Sequence, residues 1–262
     1  MKNYLGIFDS GIGGISVLKR VLERHGDLPC IYLADTARVP FGNKDPSEIR
    51  SIAIELIQWL KEKNVSIVLV ACNTTNSLAL DVVKRVANVP IFDLISSTTS
   101  MITEQRIGVL ATPATVASKA YSNFILAERP QTFVLEQSCP EFVPLIESGQ
   151  FYGPRIKQLA KDYLDPLIRA DVQAVILGCS HYPFLAPLLS ELLPSHVRLV
   201  DPAIGLAFQL DKVLDPPGSM HGFSKLLAST GIYVTDDPFG FAEAATQLLG
   251  IRPEVQLINL RS

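Results

Sequence analysis

The sequence predicts an α/β protein built on mainly parallel sheet, and two observations carry the prediction. Apolar runs of strand length alternate along the chain with amphipathic stretches of helical period, the pattern of repeated strand–helix units. Two of those runs also share a plan. Val68-Leu-Val-Ala-Cys72-Asn73-Thr74-Thr75-Asn76 and Val175-Ile-Leu-Gly-Cys179-Ser180-His181-Tyr182-Pro183 each pass from apolar residues through one small residue to a cysteine and then to hydroxyl- or amide-bearing residues. Such a run reads as a buried parallel strand, and open α/β sheets place ligands at the C-terminal ends of their strands. Two thiols are thereby delivered to two strand ends.

The first unit is a strand over Tyr4–Phe8, the turn Asp9-Ser10-Gly11-Ile12-Gly13-Gly14 and a helix from Ile15 to Arg24. The glycines admit turns closed to other residues and let the helix N-terminus approach a ligand. GxGxxG is not completed, because Ser16 stands where the third glycine belongs; an anion or carboxylate suits this turn better than a dinucleotide. Cys30–Ala34 is a second strand, and the Pro- and Gly-containing segment from Asp35 to Asp45 is a loop at the same sheet edge. Asp45 or Ser47 caps the next helix, with Pro46 in its first turn and Leu56, Ile57 and Leu60 on its buried face. Ser66–Val70 is the third strand, Cys72 follows it, and a helix begins near Thr74 or Thr75. A thiol at a helix N-terminus has its pKa lowered by the aligned dipole and free N–H groups, so Cys72 is expected to be acidified. Val89–Phe92 closes the set as a fourth strand.

The polar stretch Ser96–Ser100 either crosses between two units or opens a short helix. Beyond it the alternation resumes: a strand over Arg106–Leu110, a helix capped by Thr112 and running through Tyr121, a strand over Thr132–Leu135, and a turn and short helix over Cys139–Glu147. A long helix over Pro154–Arg169 precedes the strand Val172–Leu177 and Cys179; Pro183 begins a helix that Pro194 ends. Val197–Val200 is a further strand, followed by a helix from Pro202 to about Leu214 and a loop at Pro216–Ser219. The tail adds a strand near Ser229–Val234, a helix after Asp237-Pro238 and a strand over Val255–Leu260. Three elements are too few for a domain of their own, so the tail is expected to rejoin the first unit. The expected division is residues 1–96 plus 206–262 against residues 97–205.

With 262 residues, 48% of them hydrophobic, the chain can bury a substantial core. A formal net charge of −3 and a pI near 5.8 give no basic field to attract nucleic acid or a membrane surface. The N-terminus is apolar only briefly before the glycine turn and reads as neither a signal peptide nor a membrane span, so residence in the cytoplasm is the expectation. Cys30, Cys72, Cys139 and Cys179 are too widely spaced for a disulfide scaffold or a zinc-binding pair. Free cysteines are commonly small buried hydrophobes, and Cys30 and Cys139 read that way.

Cys72 and Cys179 gain a second reading as a pair. Removing a proton from one face of a carbon and returning one to the other face inverts that carbon, which takes two bases, one a thiolate while the other is a thiol. A free thiol titrates near 8.5, so local electrostatics must stabilise the anion, and Asn73, Thr74, Ser180 and His181 are placed to contribute. Asp9 is a cap for its own turn or a partner for a substrate ammonium group. His181 is a turn residue or an acid/base, and Glu147, ahead of Gly149, is ordinarily a solvated helix end.

Phe8-Asp9-Ser10-Gly11-Ile12-Gly13-Gly14, Ala34-Asp35-Thr36-Ala37-Arg38-Val39-Pro40-Phe41-Gly42, Ala71-Cys72-Asn73-Thr74 and Gly178-Cys179-Ser180-His181-Tyr182-Pro183 resemble, in that order, the motifs of the glutamate racemase family. The resemblance implies two similar α/β domains related by a pseudo-twofold axis, with the active site in the cleft between them. It implies cofactor-independent interconversion of L- and D-glutamate, supplying D-glutamate for peptidoglycan, with no bound metal. Cys72 then corresponds to the thiolate acting on the D-enantiomer and Cys179 to its partner for the L-enantiomer. Substrate contacts fall on Asp9, Ser10, Phe41, Gly42, Asn73, Thr74, Thr115, Ser180 and His181, and Glu147 assists near Cys179 together with His181. Family members are often homodimers, and no motif here marks a dimer surface. Phe41 stands where the family usually has tyrosine, Ser180 where it has threonine, and Thr75-Asn76 where it has small residues. The N-terminal extension linked in the family to activation by a cell-wall precursor is not expected. Alternatives are an aspartate or broad-specificity racemase of the same superfamily, or a binding protein that kept the fold and lost turnover.

Overall fold

In the computed structural model, which describes residues 5–26, 28–214 and 227–260, the strands form two sheets, and every recorded pairing is parallel. Five consecutive buried residues in each of β1 (Leu5–Asp9) and β2 (Cys30–Ala34) show why: these strands are covered on both faces. With β3 (Ile67–Val70) and β4 (Ile91–Asp93) they make four adjacent strands of the first sheet, in the order β2-β1-β3-β4 with β4 at the edge. The second sheet holds β5 (Arg106–Ala111), β6 (Phe133–Ser138), β7 (Ala174–Gly178) and β8 (Arg198–Val200) in the order β6-β5-β7-β8. The two orders are the same, so β3 and β7, the strands before the two cysteines, occupy equivalent places. From the tail, β9 (Thr230–Val234) and β10 (Val255–Leu257) extend the first sheet beyond β2.

Alternation along the strands sorts the core. Phe8, Leu33, Val68 and Val70 pack with Ile52, Leu56 and Leu60 of α2 (Pro46–Glu62) and Ala79 and Val83 of α3 (Asn73–Ala87). Ile7, Tyr32 and Leu69 face the other way, toward Ile15, Leu18 and Leu22 of α1 (Ile15–His25). That second cluster continues without a break into the other half of the molecule through Leu206 and Ala207 of α10 (Pro202–Gln209), so the two sheets share a hydrophobic core.

Four expected elements change form. Ser96–Ser100 takes the helical alternative, as α4 (Leu94–Thr98) and a following 3₁₀ turn, because the Asp93 carboxylate accepts the Ser96 N–H and caps it. The helix expected from Thr112 through Tyr121 is interrupted at Lys119, whose φ of 56° is left-handed, and becomes α5 (Pro113–Ser118) and α6 (Ala120–Glu128). The segment after Pro183 opens as a 3₁₀ turn, Tyr182–Leu185, before α9 (Ala186–Leu192). The helix after Asp201 leaves α-geometry at Leu210. The short helix before Gly149 is α7 (Phe142–Glu147), the long one is α8 (Pro154–Arg169), and α11 spans Pro238–Leu249. Tyr4 and the Pro216–Ser219 loop lie outside the described residues.

Candidate active site

Cys72 follows β3 and is the N-cap of α3, while Cys179 follows β7. Both thiols line one enclosed cavity together with Ser10, Phe41, Gly42, Asn73, Thr74, Ser180 and His181, and with Thr112 and Val143. The space measures about 10 Å³, room for about one water molecule. Its small size follows from how closely the two halves meet, and the glycine turn makes that approach possible. A Cβ on Gly13 would lie 2.4 Å from both His181 Nδ1 and Ser180 Oγ, and one on Gly42 would lie 2.6 Å from Thr112 Cβ. The turn after β1 is therefore a seat for side chains of the other half, and the carboxylates that meet its N–H groups are the protein's own, Asp9 and Glu147.

Asp9, Glu147 and Thr115 stand behind the cavity wall. Asp9 Oδ2 accepts the N–H groups of Gly11 at 3.2 Å and Gly14 at 2.9 Å, and Oδ1 accepts the Ser180 hydroxyl at 3.1 Å. It thus caps its own turn and holds a residue next to Cys179. The Thr115 hydroxyl accepts at the end of a chain of hydroxyls: Thr74 and Thr112 Oγ1 atoms are 3.0 Å apart, Thr112 Oγ1 donates to Thr115 Oγ1 at 3.0 Å, and Thr112 also caps α5 by accepting the Thr115 N–H at 3.3 Å. Thr112, not Thr115, lines the cavity. In the sequence its cap signature, Thr112-Pro113, accounted fully for the residue and hid this second use. Val143, an apolar residue in a short helix, carried no signal.

Glu147 closes α7, and the fold turns this helix end inward. Its Oε1 accepts the Ile12 N–H at 3.0 Å and lies 2.5 Å from His181 Nε2, while His181 Nδ1 sits 3.7 Å from Cys179 Sγ. Burial favours the neutral imidazole, but hydrogen bonds to Cys179 and Glu147 outweigh it and hold His181 well above its ordinary range. A charged imidazolium is thereby set between a carboxylate and a thiol. A wider cleft of about 500 Å³ lies on the far side of Glu147, bounded by Ile12, Val39, Phe151 and Phe241.

Around Cys72 the balance runs against the expectation of an acidified thiol. Burial pushes it up to about 12, and the Asp9 carboxylate adds to the rise; the nearby Thr75 hydroxyl and N–H dipoles pull the other way without cancelling it. Taking an anion out of water costs more here than the first turn of α3 returns. Asp9 is itself raised above the usual carboxylate range by burial, against the pull of His181 and its two N–H donors. Among the described residues no helix is long and apolar enough to cross a membrane, and no group of three or more His, Cys, Asp or Glu side chains is arranged to hold a metal ion.

The chain has relatives along its whole length. The Asp/Glu/Hydantoin racemase family matches residues 13–207. Glutamate racemase of Synechococcus sp. (strain CC9605) is 53% identical over 255 residues, covering 97% of this chain and 96% of the relative. Glutamate racemase of Prochlorococcus marinus (strain NATL2A) is 47% identical over 257 residues, covering 98% and 97%. Among solved structures, glutamate racemase from Francisella tularensis in complex with D-glutamate superposes with a TM-score of 0.88 at 30% identity, covering 99% of this chain and 98% of that one. With a match this long at this identity, the chain belongs to the Asp/Glu/hydantoin racemase family, within its glutamate racemase branch.

Proposed function

We propose that this protein interconverts L- and D-glutamate by passing a proton between two cysteines, without a cofactor. The observation that carries the reading is that Cys72 and Cys179, from equivalent strands of the two sheets, line one cavity. On L-glutamate, Cys179 as thiolate removes the Cα proton and Cys72 as thiol delivers one to the opposite face; on D-glutamate the roles exchange. His181, held protonated between Glu147 and Cys179, stabilises the thiolate of Cys179 as it forms. Cys72 is a thiol in the free protein, since burial and Asp9 raise it. A bound substrate brings an ammonium cation into the same enclosed space and offsets both influences, so ionisation of Cys72 is tied to occupancy. The 10 Å³ space is too small for an amino acid, and the reading requires the two halves to part for binding.

Identity above one half to a glutamate racemase supports glutamate over aspartate as the substrate. Phe41, 2% exposed, has no polar side-chain atom and leaves hydrogen bonding at that position to the backbone. The same reading includes residence in the cytoplasm, assembly as a homodimer and supply of D-glutamate for peptidoglycan. It is tested by incubating the protein with L-glutamate, D-glutamate and aspartate in deuterium oxide while optical rotation and α-deuterium uptake are followed. Inversion of glutamate with deuterium incorporation, abolished by Cys72→Ser and by Cys179→Ser, is expected. Folded protein that inverts none of the substrates would sink the reading, and turnover of aspartate alone would replace glutamate by aspartate.

A further inference from the structure

We infer that Tyr121 is a positioning residue for substrate recognition: reaching from the second half of the molecule, it fixes the side-chain amide of Asn73 so that the N–H₂ end is offered to a carboxylate oxygen of the bound amino acid. The inference rests on the racemase reading above and adds to it a residue that does not line the thiol cavity.

Tyr121 lies on α6 and is wholly buried, and its hydroxyl donates to Asn73 Oδ1 at 2.6 Å. Burial keeps the phenol well above its ordinary range, so it retains the proton that makes it a donor. Asn73 is the first residue of α3, directly after Cys72; it lines the thiol cavity and is 2% exposed. With its oxygen engaged by Tyr121, its Nδ2 has no hydrogen-bond partner in the protein. Buried donors left unpaired are rare in folded proteins and point to something that pairs them in the working state. Here the unpaired N–H₂ stands at a cavity whose reading calls for an amino-acid carboxylate.

A primary amide has two ends of opposite character and one easily turned bond. Presented oxygen-first, Asn73 would repel the carboxylate that it binds when presented N–H₂-first. Bonded through its proton to Oδ1, the phenol holds the amide with its N–H₂ end toward the cavity. Tyr121 and Asn73 also lie on helices of opposite halves, so the alignment depends on how the two halves meet.

The test is a double-mutant cycle in steady-state kinetics with D- and L-glutamate on the wild type, Tyr121→Phe, Asn73→Ala and the double variant. Tyr121→Phe keeps the ring and removes only the hydroxyl; it is expected to raise KM for both enantiomers by about tenfold with a much smaller change in kcat. In the Asn73→Ala background the same substitution should raise KM no further, since the phenol then has nothing to orient. An unchanged KM in Tyr121→Phe overturns the inference, and so does a second tenfold rise on top of Asn73→Ala, which would show that the hydroxyl acts elsewhere. KM does not depend on the fraction of molecules that fold, so partial loss of structure cannot imitate the result. Inactivity of the wild type toward glutamate would refute the racemase reading itself and is visible before any variant is compared.

Discussion

The close approach around Gly13 sets the size of the effect expected from Gly13→Ala. A Cβ placed there falls 2.4 Å from His181 Nδ1, 2.4 Å from Ser180 Oγ and 2.7 Å from His181 Cε1. Neither neighbour is free to swing away. His181 is tied through Nε2 to Glu147, and Ser180 donates to Asp9. Restoring ordinary contact in Gly13→Ala therefore moves the second half, or its two residues, by about 1 Å, and a displacement of that size at a reacting centre costs on the order of a hundredfold in rate. The accompanying overpacking costs about 1–3 kcal/mol of stability. Initial rates of D-glutamate racemisation by polarimetry, set beside thermal midpoints, measure the two effects separately. Gly26→Ala is the matched control: its φ of 73° disfavours a side chain while nothing lies within 4 Å of the added carbon. It is expected to lose about 1–3 kcal/mol of stability and keep its rate. A Gly13→Ala protein with wild-type kcat/KM would refute the argument that the glycine turn sets the approach of His181 and Ser180.

Two further outcomes follow from the Glu147–His181–Cys179 line. Glu147→Gln keeps an oxygen for the Ile12 N–H but removes the charge beside His181; kcat should fall by about ten- to a hundredfold, with the alkaline limb of its pH profile moving to lower pH, and an unmoved limb would dissociate Glu147 from the imidazolium. The second outcome concerns stability. His181 is raised in the folded state above the 6.5 of an unperturbed histidine. Its contribution is therefore fully present below that value and is lost as pH rises through the raised folded value. The thermal midpoint of the wild type should fall on going from pH 6.5 toward pH 9, and His181→Gln should flatten that slope; equal slopes in the two proteins would count against a buried imidazolium.

Local chemistry made part of this site legible. Apolar runs that end in a small residue and a cysteine mark strands covered on both faces, and that pattern alone put Cys72 and Cys179 at equivalent strand ends. Pro46 and Thr112 signalled helix starts that formed where they stand. Contacts between residues far apart in the chain left no such trace. Nothing near Tyr121 announces Asn73, 48 positions away, and nothing in Gly11-Ile12-Gly13 announces that Glu147 will bond the turn. The charge state of Cys72 departs from the sequence expectation for a related reason. A helix N-terminus is a local feature, while the burial that outweighs it is assembled from both halves.

The two thiols occupy equivalent strands but unequal surroundings, with an imidazolium and carboxylate behind Cys179 and a carboxylate and hydroxyl near Cys72. Mirror-image forms of one amino acid have equal free energies in water, so the equilibrium constant of the proposed reaction is one. Whatever asymmetry the protein builds in, the ratio of kcat/KM for the two directions cannot depart from unity. The inequality of the two sites is confined to how each direction divides its efficiency between turnover and binding. Whichever enantiomer shows the lower kcat must show, by the same factor, the lower KM.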